Sequence, residues 1–194
     1  MSARAISAAL AWVVVAGCAT VAPVPVPAPV NVEAAFDAAG RLSARRGNDG
    51  AAVHFTWAHS ADTDRFDVAT PLGQVVARMR GNGAGVRVER PGEAPVAYSD
   101  WNALTREVLG VAIPVDGLAS WIQGAPTLLG AFDIERDAGG RPLVLRQQGW
   151  EIVYTYAQAR DPVRPTRLVM RYPDSEPIEV RVVVDRFAPG NASD

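Results

Sequence analysis

What most restricts this chain is a period-two alternation of apolar and polar side chains that recurs in segment after segment from Gly40 onward. In Ala51–Ala58, Val53, Phe55 and Trp57 share one face while His54, Thr56 and Ala58 share the other. Phe66 and Val68 precede a turn at Pro71-Leu72-Gly73, and Val75, Ala77 and Met79 follow it against Gln74, Val76, Arg78 and Arg80. Beyond the glycine-rich turn at Gly81–Gly85, Val86 and Val88 alternate with Arg87 and Glu89. The pattern resumes in Trp150–Tyr156, Leu168–Tyr172 and Ile178–Asp185. Strands this one-sided belong to an antiparallel sheet with one apolar and one wet face. Their spacing predicts successive hairpins, hence a strongly curved sheet or a barrel.

Residues 99–124 interrupt the alternation. Ser99 or Asp100 is placed to cap a short helix carrying Leu104, Val108 and Leu109, with Gly110 ending it. Asp116 is placed to cap a second, with Leu118, Trp121 and Ile122 on its apolar side and Gly124 closing it. A further helical turn is expected at Val32–Ala39. The apolar faces of short helices must be buried, and the inner face of the curved sheet is the available partner.

The Pro71-Leu72-Gly73 turn is unusual, because leucine occupies a place that chains give to residues with turn-forming backbones. Pro71 pre-sets one torsion and Gly73 accepts another, leaving Leu72 at the hairpin tip.

The N-terminus has the form of a bacterial secretory signal: Arg4, an apolar run from Ala8 to Ala16, then Gly17-Cys18. The run is too short for a membrane span of ~20 residues. Val15-Ala16-Gly17-Cys18 resembles a lipobox, and Cys18 is the only cysteine in the chain, so an internal disulfide is excluded. The expected organisation is a signal peptide over 1–17, a lipidated Cys18 with a proline-rich tether over 18–31, one domain over 32–190 and a short tail over 191–194. Prolines at 23, 25, 27 and 29 favour an extended tether. At ~3.1 Å per residue it reaches about 40 Å.

No catalytic constellation is present. The two histidines, His54 and His59, read as surface residues, the first on the polar side of its strand and the second in the following turn. No spacing suggests a metal site, and neither a phosphate-binding loop nor a nucleophile elbow occurs. With a formal net charge of −2, arginine as the one strong base and no basic block, nucleic-acid binding has no electrostatic support. No cofactor and no enzymatic activity are expected. What remains is apolar surface. A curved sheet lined by aromatic residues and covered by short helices would, if opened, be a pocket for a long apolar ligand.

Six stretches in order resemble the LolB family of outer-membrane lipoprotein receptors: Gly40–Ser43, His54–Trp57, Thr70–Gln74, Leu109–Pro114, Leu118–Pro126 and Gln148–Tyr154. The resemblance covers about residue 36 to residue 187. It implies a β-rich α+β fold, an incomplete antiparallel β-barrel whose short helices cover an apolar cavity. It implies that the cavity receives lipoprotein acyl chains from a soluble LolA-like periplasmic carrier. The receptor would then deliver them to the inner leaflet of the outer membrane, itself anchored there through Cys18. Leu72 matches the family's protruding leucine, implicated in delivery. The family's last strand tends to end in tryptophan, where this chain has Phe187. On this reading Phe55, Trp57, Leu104, Leu109, Leu118, Trp121, Ile122 and Trp150 line or close the cavity, and the protein acts as a monomer. Two rivals stand beside it: a structural lipoprotein with a closed core, and a carrier of a different lipid.

Overall fold

The computed structural model describes residues 32–61, 63–109, 112–157 and 164–190. The leader, Cys18 and the tether lie outside these, as does the 191–194 tail. Strands β1 (Phe36–Arg46), β2 (Asp49–His59), β3 (Thr63–Ala69), β4 (Val75–Asn82), β5 (Gly85–Glu89) and β6 (Val96–Tyr98) come first. Two helices follow, α1 (Trp101–Leu109) and α2 (Val115–Trp121). The chain then forms β7 (Phe132–Arg136), β8 (Pro142–Gln147), β9 (Trp150–Thr155), β10 (Arg167–Tyr172) and β11 (Ile178–Pro189).

All eleven strands form one sheet in the order β6-β5-β4-β3-β2-β1-β11-β10-β9-β8-β7, and each neighbouring pair is antiparallel. The sheet is curved and does not close: β6 and β7 are its two edges, and the helices link one edge to the other. The expected strands of the alternating segments form as read. Trp150, Ile152, Tyr154, Leu168, Met170, Ile178, Val180 and Val182 all turn inward and are buried. The main core joins these to Phe36, Phe55, Trp57, Ile113, Val115, Trp121 and Ile122. A smaller cluster, Val86, Val88 and Leu104 with Met79, Tyr98 and Trp101 against it, seats α1 on the β4–β6 wing.

Antiparallel pairing sorts the turns onto two rims. One carries 47–48, 70–74, 90–95, 148–149, 173–177 and the lead into β7, because Arg46, Ile178, Tyr172, Gln147 and Phe132 all lie at that end of the register. We call it the Leu72 rim. The opposite rim holds the start of β1, the end of β11 and the tight β4–β5 turn at Gly83-Ala84.

Three expectations need correction. The segment Val32–Ala39 is not helical. From Phe36 it is β1, inserted between β2 and β11, with Phe36 and Ala38 both 1 % exposed. Pairing on both sides outweighs the helix propensity of an alanine-rich stretch. Asp116 does not cap α2. Pro114 occupies the cap position without a side-chain bond, and Asp116 lies in the first turn, where its charge complements the helix dipole. Asp100 does cap α1, accepting from the Ala103 amide at 2.7 Å. That bond leads the causes that hold its carboxyl below the ordinary range. His59, expected in a turn, ends β2 instead. Its ring lies 4.9 Å from Phe36 and its Nδ1 is 2.7 Å from Asp64 Oδ1, which removes it from the open surface.

Candidate functional site

Leu72 sits at the tip of a tightly specified hairpin. The Gly73 amide donates to the Thr70 carbonyl at 2.8 Å, closing a four-residue turn with Pro71 and Leu72 at its centre. Gly73 takes φ +87°, a torsion glycine adopts freely. The Thr70 amide donates to the Gln74 carbonyl at 2.8 Å and the Gln74 amide to Thr70 Oγ1 at 3.2 Å, so the tip is braced on both sides. Leu72 is 98 % exposed. It does not fold back on its own sheet.

The residues expected to line a cavity are distributed unevenly. Phe55, Trp57, Trp121, Ile122 and Trp150 meet in the main core, with Leu118 partly buried against it. Leu104 belongs to the smaller cluster beneath α1. Leu109 ends α1, and its side chain lies outside the described residues. In this state the inner side chains pack on one another. Trp57 stacks on Phe66 at 4.7 Å and meets Phe36 edge-on at 4.9 Å, while Trp150 lies 5.2 Å from Tyr172.

Buried polar groups position these aromatics, and sequence reading did not find them. Asp64, 6 % exposed, accepts from Trp57 Nε1 at 2.7 Å and also meets His59. Gln147, 2 % exposed, accepts from Trp121 Nε1 at 3.0 Å and from the Thr127 amide at 2.9 Å. Gln123 bridges the α2 end to Glu33, accepting from its amide at 2.7 Å and donating to its carbonyl at 3.1 Å. The available signal was a lone polar residue on an otherwise apolar strand face, as at Asp64 and Gln147. Replacing Asp64 by Ala leaves the Trp57 indole N–H unpaired in the core. The expected cost is roughly 1–3 kcal/mol, read as a lower urea midpoint by tryptophan fluorescence.

The buried tyrosines carry no charge. Burial pushes the Tyr156 hydroxyl up to about 12, and it donates to the Pro142 carbonyl at 2.8 Å. Burial raises Tyr154 as well, and its hydroxyl finds no partner among the described residues. Both tyrosines therefore stay neutral at physiological pH. The outer face differs. A groove of about 590 Å³ there is lined by Arg41, Arg167, Arg171 and Arg181 over a floor that includes Val169 and Val183. None of its lining comes from the residues expected to hold acyl chains.

A sequence model of the family described as "Outer membrane lipoprotein LolB" matches residues 34–187. An outer-membrane lipoprotein LolB of Thiobacillus denitrificans is 37 % identical over 184 residues, covering 94 % of this chain and 96 % of that protein. Its counterpart in an Azoarcus strain is 35 % identical over 190 residues, covering 95 % and 96 %. Among solved structures, the fold is shared with a LolA superfamily protein from Nitrosomonas europaea. That match has a TM-score of 0.50 at 10 % identity and covers 85 % of this chain and 89 % of that one.

Proposed function

The chain belongs to the LolB family of outer-membrane lipoproteins, and from this we propose that it accepts lipoproteins from a LolA-like periplasmic carrier and delivers them to the inner leaflet of the outer membrane. The acyl chains enter between α2 and the concave face of the sheet, held by Phe55, Trp57, Leu118, Trp121, Ile122 and Trp150. Leu104 and Leu109 of α1 help to close the mouth. Leu72 assists delivery, and Cys18 with its proline-rich tether keeps the single domain at the membrane.

The observation that carries this reading is an apolar interior covered by two short helices on a sheet left open between β6 and β7. Moving an α2 of seven residues is a smaller change than parting a closed barrel. The buried aromatics then exchange contacts with one another for contacts with acyl chains, which are equally apolar. Neutral tyrosines inside add no charge for the chains to avoid.

A triacylated cargo has on the order of 40 methylenes, each costing about 0.8 kcal/mol to expose to water. Release into the periplasm would face a barrier of roughly 30 kcal/mol, too slow to be useful. Transfer therefore runs cavity to cavity with the two mouths apposed. Direction follows from affinity, which rises from the carrier to this protein to the bilayer, and no nucleotide is consumed.

The test mixes the purified protein with a LolA–lipoprotein complex in the absence of nucleotide and follows the lipoprotein by co-purification. The lipoprotein is expected to move to this protein, with a change in tryptophan emission as Trp57 and Trp121 gain acyl neighbours. Lipoprotein that stays on LolA overturns the receptor reading. An emission unmoved by bound acyl chains overturns the assignment of the cavity.

A further inference from the structure

The Leu72 rim carries a second apolar tip. Between α2 and β7 the stretch Pro126-Thr127-Leu128-Leu129-Gly130-Ala131 has no charged residue. Leu128 is 103 % exposed and Leu129 68 %, and Phe132 at the start of β7 is half exposed at 50 %. This loop is held in place. The buried Gln147 donates through Nε2 to the carbonyls of Thr127, at 3.0 Å, and Leu129, at 3.2 Å, while its Oε1 accepts from the Thr127 amide. Thr127 Oγ1 accepts from the Leu129 amide and donates to the Leu129 carbonyl, both at 3.1 Å. The same Gln147 oxygen holds Trp121 at the end of α2. The backbone is thus fastened to the core while two leucines point away from it.

We propose that Leu128 and Leu129 form a second membrane-contacting tip, entering the same bilayer surface as Leu72. The inference rests on the reading of Leu72 as a tip that faces lipid. Three observations favour lipid over protein as the occupant. The register puts both tips at the same end of the strands, Leu72 on the β3–β4 wing, whose hairpin begins opposite His54, and Leu128-Leu129 beside the β7–β8 wing. The two tips themselves, at 70–74 and 126–131, are uncharged, whereas the rim's charged turns, 90–95 with Arg90 and Glu93 and 173–177 with Asp174 and Glu176, together carry both signs and no exposed leucine. The loop is a protrusion and not a socket, and a stable protein interface needs roughly 800 Å² of complementary surface per partner. A fluid apolar phase demands no such fit. One tip leaves a domain free to pivot about its contact. Two tips on opposite wings fix which rim lies on the membrane, and so which way the interior opens.

The experiment reconstitutes the full chain in vesicles of phosphatidylethanolamine and phosphatidylglycerol. A polarity-sensitive dye is attached in turn at Leu128→Cys, at Leu72→Cys and, on the opposite rim, at Ala84→Cys. Acyl-chain spin labels are expected to quench the dye at 128 as strongly as at 72 and to leave the dye at 84 bright. The double variant Leu128→Glu, Leu129→Glu is expected to slow delivery of cargo to vesicles about tenfold. Quenching at 72 with none at 128 overturns this inference and leaves the role of Leu72 standing. Quenching at neither site removes the role of Leu72 and this inference with it. A dye at 128 that ignores vesicles and shifts to the blue only when the LolA-like carrier is added assigns the tip to the carrier and overturns the proposal, as does unchanged delivery by the double variant.

Discussion

Replacing Gly40 by Ala is expected to destabilise the domain by about 3 kcal/mol or more, the largest effect predicted here for removing no side chain at all. Gly40 lies in the middle of β1, at the point where its register with β11 shifts by one residue. A Cβ there would collide with the Val183 carbonyl oxygen and stand 3.2 Å from the Phe55 ring. The first of these neighbours is backbone and cannot rotate away. Relief requires the central β1–β11 pair to part, and those strands carry Phe36, Ala38, Val180 and Val182 into the core. Chemical denaturation followed by tryptophan fluorescence should show a much lower midpoint, or a chain recovered only in aggregated form. A midpoint near that of the parent would mean that β1 and β11 are not joined as described. Gly73→Ala makes the contrast. Nothing lies within 4 Å of its added carbon, so only the torsional cost of φ +87° remains, about 1 kcal/mol.

Leu72→Glu is expected to leave acceptance of cargo intact and to lower its delivery into vesicles by at least about tenfold. A leucine fully buried in lipid contributes roughly 1.5–3 kcal/mol, and a tenfold change corresponds to about 1.4 kcal/mol. A carboxylate loses that contribution and adds a desolvation cost. Because Leu72 is 98 % exposed, its replacement removes no packing from the folded domain. The effect should therefore fall on delivery and not on stability. Leu72→Ala is expected to lie between the two. The measurement loads the protein with a labelled lipoprotein, adds vesicles and follows the label by flotation. Delivery at the parent rate by Leu72→Glu would assign the tip no part in the transfer.

How far the fold was legible depended on how one-sided each strand is. In β9 and β10, in the second half of β2 and the first half of β11, every second residue enters the core, and such alternation is visible in sequence. The β7–β8 pair was not anticipated. There the buried positions include Pro142 and Gln147, Leu143 is the extra residue at a register shift, and Phe132, paired with Gln147, is half exposed at the sheet edge, so apolar and polar types no longer report burial. Gln147 is buried because it satisfies partners at Trp121 and Thr127, 26 and 20 residues distant in sequence. Long-range bonds of this kind leave no local pattern. Asp64 differs: its partners Trp57 and His59 lie only 7 and 5 residues away across the β2–β3 hairpin. Leu72 was legible because proline and glycine on either side announce a turn. Leu128 and Leu129 also lie between a proline and a glycine, Pro126 and Gly130, but their loop joins a helix to a strand and not two alternating strands, and their exposure follows from the backbone bonds that fasten it.

The position of the first described residues bears on how the molecule could work at a surface. The chain comes in at the rim opposite Leu72, where Gln123 grips Glu33, and where Arg164, which also pairs with Glu33, lies 4.3 Å over the Phe187 ring. A leash tied at Cys18 would thus be attached to the back of the domain, while the leucine tips are at its front. Along the eleven residues of β1 the body spans on the order of 35 Å from the entry of the chain to its far turn. At the reach expected of an extended proline-rich stretch, about 40 Å, such a leash would be only slightly longer than that. Slack, it would let the domain turn its open side away from the bilayer to meet a visitor; drawn nearly taut along the flank, it would let the front touch down. Its length would then be a gauge matched to the height of the body it carries, and the proposed docking and delivery postures would be the two ends of one swing.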